Sequence, residues 1–112
     1  EREFNDLLLL DSVLLGQHRG RPVWSVVIVD VATRFVAAGL VRDRTAKSAA
    51  RVFLNEWILR WGKPKEVGSD CGGEFTGGAF LELCKEYGIK KLGRGETTYE
   101  EILACTDDSR GY

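Results

Sequence analysis

The sequence predicts an α/β fold with a mixed sheet flanked by helices, and three observations support this. The first third contains two near-continuous apolar runs, residues 6–15 and 23–31, which are typical of strands covered on both faces. Apolar residues then recur with helical spacing between Thr45 and Trp61. Short strand-like and helical segments alternate from there to Lys91. The predicted order is three strands, helix, strand, helix and strand, which gives a five-stranded sheet.

Length and composition are those of one globular domain. At 112 residues the chain is long enough to bury one core and too short for two, so residues 1–112 are treated as a single domain. The net charge of −1 excludes a global basic field, so a polyanion would have to be met by local charge. Residues 7–10 are too few to cross a bilayer and no targeting segment is visible, so we expect a soluble protein without a membrane partner.

The number and spacing of the cysteines and histidine argue against a disulfide framework and against a structural zinc site. Cys71, Cys84 and Cys105 are an odd number without metal-binding spacing, and His18 is the single histidine. We therefore expect a reducing compartment and no structural zinc.

The first three strands come early in the chain. Residues 6–15 and 23–31 predict a hairpin, and the segment GQHRGRP between them predicts a loose connection. Residues 34–41 predict a third strand, which follows a short turn at residues 30–33.

The helices follow the third strand. Thr45 is a suitable N-cap for the first helix, and Gly62 with Pro64 ends it. A short strand is expected around Val67 and another from Ile89. The second helix is predicted to begin at Thr76 and end at Gly88, with these residues inward: Phe80, Leu83, Cys84 and Tyr87. A third helix would open with a capping box formed by Thr98 and Glu101.

Two acids, Asp11 and Asp70, are the strongest candidates for chemistry. Asp11 interrupts an apolar strand, where an ionised carboxylate is costly unless it is paired or binds a metal, although an outward-facing position also explains it. Asp70 follows a short strand beside Gly72 and Gly73, where either a ligand site or ordinary turn chemistry is expected. If the two strands are neighbours, both carboxylates converge on one edge of the sheet. Such a pair suits Mg²⁺ or Mn²⁺ and phosphoryl transfer.

Two segments, VDVATRF at residues 29–35 and GKPKEVGSDCGGEFTG at residues 62–77, resemble the catalytic core of retroviral and gypsy-type LTR-retrotransposon integrases. The resemblance extends back to LLLLDSVLL and covers residues 7–91, whereas residues 92–112 diverge. It implies an RNase H-like fold, a DDE triad with two Mg²⁺ ions, and 3′-end processing and strand transfer of DNA. Asp11 and Asp70 match the first two acids. Asp30 matches a position outside the metal ligands and is expected to hold the turn to Arg34.

The third acid of the triad is not fixed by the resemblance, because the family's spacing lands on Thr106. Glu101 is the expected third catalytic and metal ligand, since it lies in the first turn of the predicted third helix. A role as the capping-box acid of the predicted third helix explains the presence of Glu101 equally well. The alternatives are Glu100, Asp107 and Asp108.

The expected partners are the element's DNA ends, target DNA and a second copy of the chain, in the nucleus. A cationic rim for DNA is expected from Arg19, Arg21, Lys63, Lys65, Lys90, Lys91 and Arg94. Glu74 either faces DNA or stabilises a helix start. Trp57 and Trp61 are expected to be core or dimer contacts and not base-stacking platforms. Together with the first helix, they are the candidate dimer contacts.

Two alternatives to an active integrase stay open. One is a catalytically inactive, integrase-derived dimerisation or interaction module. The other is an RNase H-like nuclease that hydrolyses DNA and does not join strands.

Overall fold

The computed structural model of the chain describes residues 1–69 and 72–92. The strands are β1 Leu7–His18, β2 Arg21–Asp30, β3 Val36–Val41, β4 Glu66–Ser69 and β5 Lys90–Lys91. The helices are α1 Ala46–Phe53, α2 Leu59–Trp61, α3 Gly73–Thr76 and α4 Gly78–Glu86, and a π-helical turn at Leu54–Ile58 joins α1 to α2. The predicted third helix, with Thr98 and Glu101, lies outside the described residues.

The five strands form one mixed sheet in the order β3-β2-β1-β4-β5. β1 pairs antiparallel with β2 and parallel with β4, and β4 pairs parallel with β5. The predicted mixed sheet is confirmed, and so is the central place of β1 beside β4. This arrangement brings two distant parts of the chain, the start of β1 and the segment before residue 70, into direct contact.

The hairpin between β1 and β2 is longer than predicted, and the expectation of a loose connection is wrong. The ladder continues until His18 pairs with Arg21, which leaves a two-residue turn. Arg19 and Gly20 both have positive φ, 54° and 76°, as the tight hairpin turns require. The register shifts beside Gly16, whose φ of 147° favours glycine. Polar residues near the turn therefore belong to exposed strand.

The core has two parts, one on each face of the sheet. The larger part lies between the sheet and the helices and contains Leu8, Leu10, Ile28, Val67, Phe53, Trp57, Phe75 and Phe80. The smaller part, on the other face, contains Leu7, Leu9, Val29 and Leu92. Because side chains alternate along a strand, Asp11 projects from the face of Leu7 and Leu9, and Ser12 projects toward the helices. No helix within residues 1–69 and 72–92 is long and apolar enough to cross a membrane.

The first helical stretch begins and ends as predicted, but it contains a π-helical turn. Thr45 Oγ1 accepts a hydrogen bond from the Ser48 N–H at 3.2 Å, and Gly62 ends the stretch with φ 88°. Trp57, in the π-helical turn, is fully buried. Its Nε1 donates to Asn5 Oδ1 at 2.8 Å, which ties the helix to the N-terminal segment.

The prediction that Thr76 caps the second helix is wrong. Thr76 is the last residue of α3, and its hydroxyl donates back to the Gly72 carbonyl at 3.3 Å. α4 begins at Gly78, after Gly77, where a Cβ would lie only 2.7 Å from Ala46 Cβ. The junction of α3 and α4 therefore packs directly against the start of α1. The inward residues of α4 are as predicted: Phe80 and Cys84 are buried, and Leu83 and Tyr87 pack partly against the core.

Candidate active site

Asp11 lies on central strand β1, immediately after the stretch that pairs with β4. The last pair in this ladder joins Leu10 to Ser69. The Asp11 side chain is half-buried, and its Oδ1 accepts a hydrogen bond from the Ser12 N–H at 2.9 Å. Asp11 thus sits where a second chain segment approaches β1 in parallel.

The other proposed ligands, Asp70 and Glu101, lie outside the described residues, as do the alternatives Glu100, Asp107 and Asp108. Within residues 1–69 and 72–92, no group of three or more His, Cys, Asp and Glu side chains could hold a metal ion. Of the predicted metal ligands, the described residues include Asp11 alone. An oxygen donor of this kind fits a hard cation such as Mg²⁺, provided that residues beyond Ser69 complete the set.

Glu74, which follows the Asp70 segment, is buried and paired with a distant arginine. It is 3% exposed, and its Oε2 accepts a hydrogen bond from Arg44 Nε at 2.9 Å. The Arg44 guanidinium carbon lies 4.5 Å from the centre of the Trp24 ring. Burial of Glu74 contradicts the alternative in which it faces DNA. Glu74 lies in the first turn of α3, which is the position required for its other expected role, stabilising a helix start.

The surroundings of Glu74 keep it ionised. Burial raises the pKa of its carboxyl, but hydrogen bonding from its own N–H and from Arg44 outweighs burial and holds the pKa below the usual value. Ser12 contributes in the same direction. Ser12 Oγ is buried close to this carboxylate and has no other hydrogen-bond partner in the described chain.

Asp30 has the structural role that the sequence indicated. It is fully buried, and its Oδ1 accepts from the Asn5 N–H at 2.9 Å. Its Oδ2 accepts from the Thr33 N–H and the Thr33 hydroxyl, at 2.9 and 2.6 Å. Its backbone carbonyl accepts from the Arg34 N–H at 2.8 Å. Asp30 therefore holds the turn between β2 and β3.

The predicted cationic rim is not one surface. Arg19 and Arg21 lie at the hairpin turn, whereas Lys63 and Lys65 precede β4 at the opposite end of β1, roughly 35 Å away along that strand. Lys65 Nζ is 3.2 Å from an Asp6 carboxylate oxygen, and Lys90 Nζ is 3.9 Å from one of Glu66. Lys91 lies beside Lys90 in β5, and Arg94 lies outside the described residues. The described members of the rim are thus divided between two ends of the sheet.

A cleft of about 670 Å³ lies near the hairpin end of the sheet. Its lining residues are His18, Val23, Leu40, Val41, Arg42, Asp43, Ser48 and Arg51. The basic residues of this cleft come from three separate elements. Sequence spacing alone gave no signal that they meet, and the rim prediction missed them.

The two tryptophans proposed as dimer contacts differ in exposure. Trp57 is fully buried, which confirms the core alternative for this residue and excludes it as a surface contact with a second copy. Trp61 is exposed and packs with Phe4 and Phe35, whose ring centres lie 6.3 and 5.4 Å from its own. Of the two, Trp61 alone is placed to meet another molecule.

Comparison with known proteins gives a family match over most of the chain. A family model described as integrase core domain matches residues 2–92. The Gag-Pol polyprotein of walleye dermal sarcoma virus is 29% identical over 69 residues, and the retrovirus-related Pol polyprotein from transposon 412 of Drosophila melanogaster is 26% identical over 69 residues. Each alignment covers 62% of this chain, but only 4% and 6% of the respective polyprotein.

The fold is also that of a solved viral protein. The catalytic core domain of HTLV-2 integrase, in its dimeric form with magnesium, superposes with a TM-score of 0.77 at 21% identity. The match covers 96% of this chain and 66% of the HTLV-2 chain. The mixed sheet with its helices is therefore the RNase H-like fold, as the resemblance implied.

Proposed function

The chain belongs to the integrase core domain family, and on this premise we propose that it is an integrase catalytic core that processes and joins DNA ends. Its reaction would be polynucleotidyl transfer: the oxygen of a water or of a DNA 3′-hydroxyl attacks a DNA phosphorus atom and loses its proton to solvent. The bond from that phosphorus to the 3′ oxygen of the preceding nucleotide breaks, and this oxygen leaves as a free 3′-hydroxyl. Asp11 would contribute the first metal-binding carboxylate of the site.

The register of β1 against β4 is the observation that carries this proposal. Residues Leu7 to Leu10 pair one by one with Glu66 to Ser69. Residues paired in parallel strands project from the same face, and the strands lie about 4.8 Å apart. Asp11 and Asp70 are each the next residue along the chain. Extending the register by one residue would make them a pair on one face, close enough to share a cation.

The donor chemistry supports a divalent ion at this pair. Two adjacent carboxylates repel each other unless a cation lies between them, and oxygen donors suit Mg²⁺ or Mn²⁺. Asp11 and Asp70 would hold the ion, with Glu101 as the proposed third ligand. When bound, the ion supplies Lewis acidity to the phosphate and lowers the pKa of the attacking hydroxyl. The magnesium complex of the HTLV-2 core is consistent with this assignment.

The proposed partners are DNA and a second copy of this chain. Arg19 and Arg21, exposed at the hairpin turn, are available for phosphate contacts. Exposed Trp61 is the candidate dimer contact, and the dimeric form of the HTLV-2 core supports a homodimer. A nuclear location is part of the same proposal, since the DNA target is there.

End-labelled duplex DNA with Mg²⁺ or Mn²⁺ tests the proposed reaction. We expect the wild-type chain to cut and join strands, and Asp11→Asn or Asp70→Asn to lower the rate by at least about 100-fold. Glu56→Gln is a matched control, because the Glu56 carboxylate is engaged by partly exposed Arg60 one helical turn away and is not among the proposed ligands. It should keep the wild-type rate.

The products separate the proposed function from its alternatives. Strand cleavage without joined products would identify a nuclease. A wild-type chain that dimerises and binds DNA, but turns over no faster than Asp11→Asn, would identify an inactive interaction module.

A further inference from the structure

We propose that Arg44 and Glu74 are positioning residues that fix the N-terminal end of α3, which begins shortly after Asp70 in the sequence. The inference rests on the proposed function, in which Asp70 is a metal ligand. Neither Arg44 nor Glu74 is proposed to touch the metal or DNA. Their role would be to fix the chain on the downstream side of Asp70.

Asp70 is bracketed by two fixed points. On its upstream side, Ser69 ends β4 and is paired with Leu10 of β1. On its downstream side, Gly72 caps α3. Only Asp70 and Cys71 separate the two, and each peptide link spans 3.8 Å between Cα atoms. The place of α3 therefore limits where Asp70 lies relative to β1.

α3 is too short to be held by its own hydrogen bonds. It has four residues, and a single helical turn is unfavourable in isolation. Two of its side chains anchor it: Phe75 is fully buried in the core, and Glu74 is buried against Arg44. The Phe75 contact is apolar and not directional. The charge-assisted hydrogen bond of Glu74 fixes orientation as well as distance.

Arg44 connects this anchor to the sheet. Its guanidinium packs over Trp24, which is paired with Leu14 of β1 and Val41 of β3. The chain of contacts thus runs from the hydrogen-bonded ladder through Trp24 and Arg44 to Glu74. The far end of α3 is fixed separately, where Gly77 packs against Ala46. Removing Arg44 would release the end of α3 that lies nearest Asp70.

Cys71 offers a direct reporter of this segment, because it follows Asp70 in the sequence. In pulsed alkylation with mass mapping, a change in the rate of Cys71 labelling between a variant and wild type reports a change in the chain next to α3. Cys84 serves as the internal reference for global unfolding. It is buried in the core, and burial raises the pKa of its thiol to about 11, so it stays protonated and slow to react.

The variants are Arg44→Ala, Arg44→Lys and, as a matched control, Arg60→Ala, which removes the exposed ion pair with Glu56. Mn²⁺ affinity is measured on the same samples by electron paramagnetic resonance. We expect Arg44→Ala to speed Cys71 labelling several-fold and to weaken Mn²⁺ binding about 10-fold, as loss of an outer-shell partner does at metal sites. Arg44→Lys should lie between Arg44→Ala and wild type in Cys71 labelling rate and in Mn²⁺ affinity. Arg60→Ala should match wild type in both measurements.

Equal Cys71 labelling and equal Mn²⁺ affinity in Arg44→Ala and wild type, with Cys84 protected, would overturn the inference. If Cys84 becomes labelled in Arg44→Ala, that variant is unfolded. Cys71 labelling and Mn²⁺ affinity are then measured on Glu74→Gln. This variant removes the charge of the side chain but keeps its shape and one acceptor oxygen. Absence of Mn²⁺ binding by wild type would refute the proposed function, while Cys71 labelling would still decide whether Arg44 fixes the N-terminal end of α3.

Discussion

Glu74 shows how one buried acid connects three parts of the chain. Its carboxylate joins α3 to Arg44 in the loop before α1, and Arg44 lies over Trp24 in β2. A buried carboxylate without such partners would be costly, because burial disfavours the charged form. Hydrogen bonding from its own N–H, from Ser12 and from Arg44 outweighs burial and lowers the pKa of Glu74. The stability of the fold therefore depends on the charge of Glu74.

The stability contributed by Glu74 should fall with pH in the acidic range. Its pKa in the folded chain is below the ordinary value of 4.5, so its contribution is complete above that value and is lost as pH falls through the folded pKa. We expect Glu74→Gln to lower the free energy of unfolding by about 1–3 kcal/mol at pH 7. Urea unfolding at pH 7, 5, 4 and 3 should show this difference shrinking below about pH 4.5.

Glu56→Gln is the matched control for this experiment. Its ion pair with Arg60 is exposed to solvent, so its effect should stay within about 0.5 kcal/mol at every pH. A difference between wild type and Glu74→Gln that is the same at pH 7 and pH 3 would contradict the assigned ionisation.

At the scale of elements, the close approach of α1 to the α3–α4 junction depends on Gly77. Its φ of −75° is open to any residue, so space and not backbone conformation requires glycine there. A Cβ at this position would lie 2.7 Å from Ala46 Cβ and 3.0 Å from the Gly73 carbonyl oxygen. The next residue, Gly78, has nothing within 4 Å of a Cβ.

Substitution of these two neighbouring glycines should have opposite effects. Gly77→Ala should destabilise the fold by about 1–3 kcal/mol, because α1 and α3 would have to move apart. Gly78→Ala should be neutral or stabilise by up to about 1 kcal/mol, since alanine restricts the unfolded chain. Thermal unfolding followed by circular dichroism measures both. Equal losses in the two variants would show that packing against Ala46 is not what selects Gly77.

The elements that the sequence predicted well are those with a periodic pattern. The apolar runs indicated β1 and β2, and the helical spacing between Thr45 and Trp61 indicated the first helical stretch. The hairpin turn was misplaced because polar residues such as His18 and Arg21 lie in exposed strand, where alternation carries no signal. The start of α4 was misplaced because α3 occupies the position that Thr76 was expected to cap.

At the scale of the whole molecule, the fold was easier to predict than the site. The apolar segments identified which parts of the chain form the sheet, and the family resemblance supplied the RNase H-like fold. The Arg44–Glu74 pair could not be found in the same way, because 30 residues separate its members and neither belongs to a spacing pattern. The choice between core and dimer contact for Trp57 stayed open for a related reason: the helical spacing identified the apolar stripe of the helix but not which part of that stripe is covered.

The position of Asp11 unites these scales. The alternation of β1 assigns its face, the β1–β4 ladder brings the segment before Asp70 beside it, and the sheet order makes both strands neighbours. The central claim is that these two acids share one divalent cation.

Mn²⁺ affinity of Asp11→Asn, Asp70→Asn and the double variant tests this claim most directly. If one ion is shared, each single change removes most of the binding, and the double variant loses little more than either single one. Asp43→Asn, whose carboxylate is engaged by Thr45 and Ser48, should bind as wild type does. Wild-type affinity in Asp11→Asn, or losses that simply add in the double variant, would contradict the account.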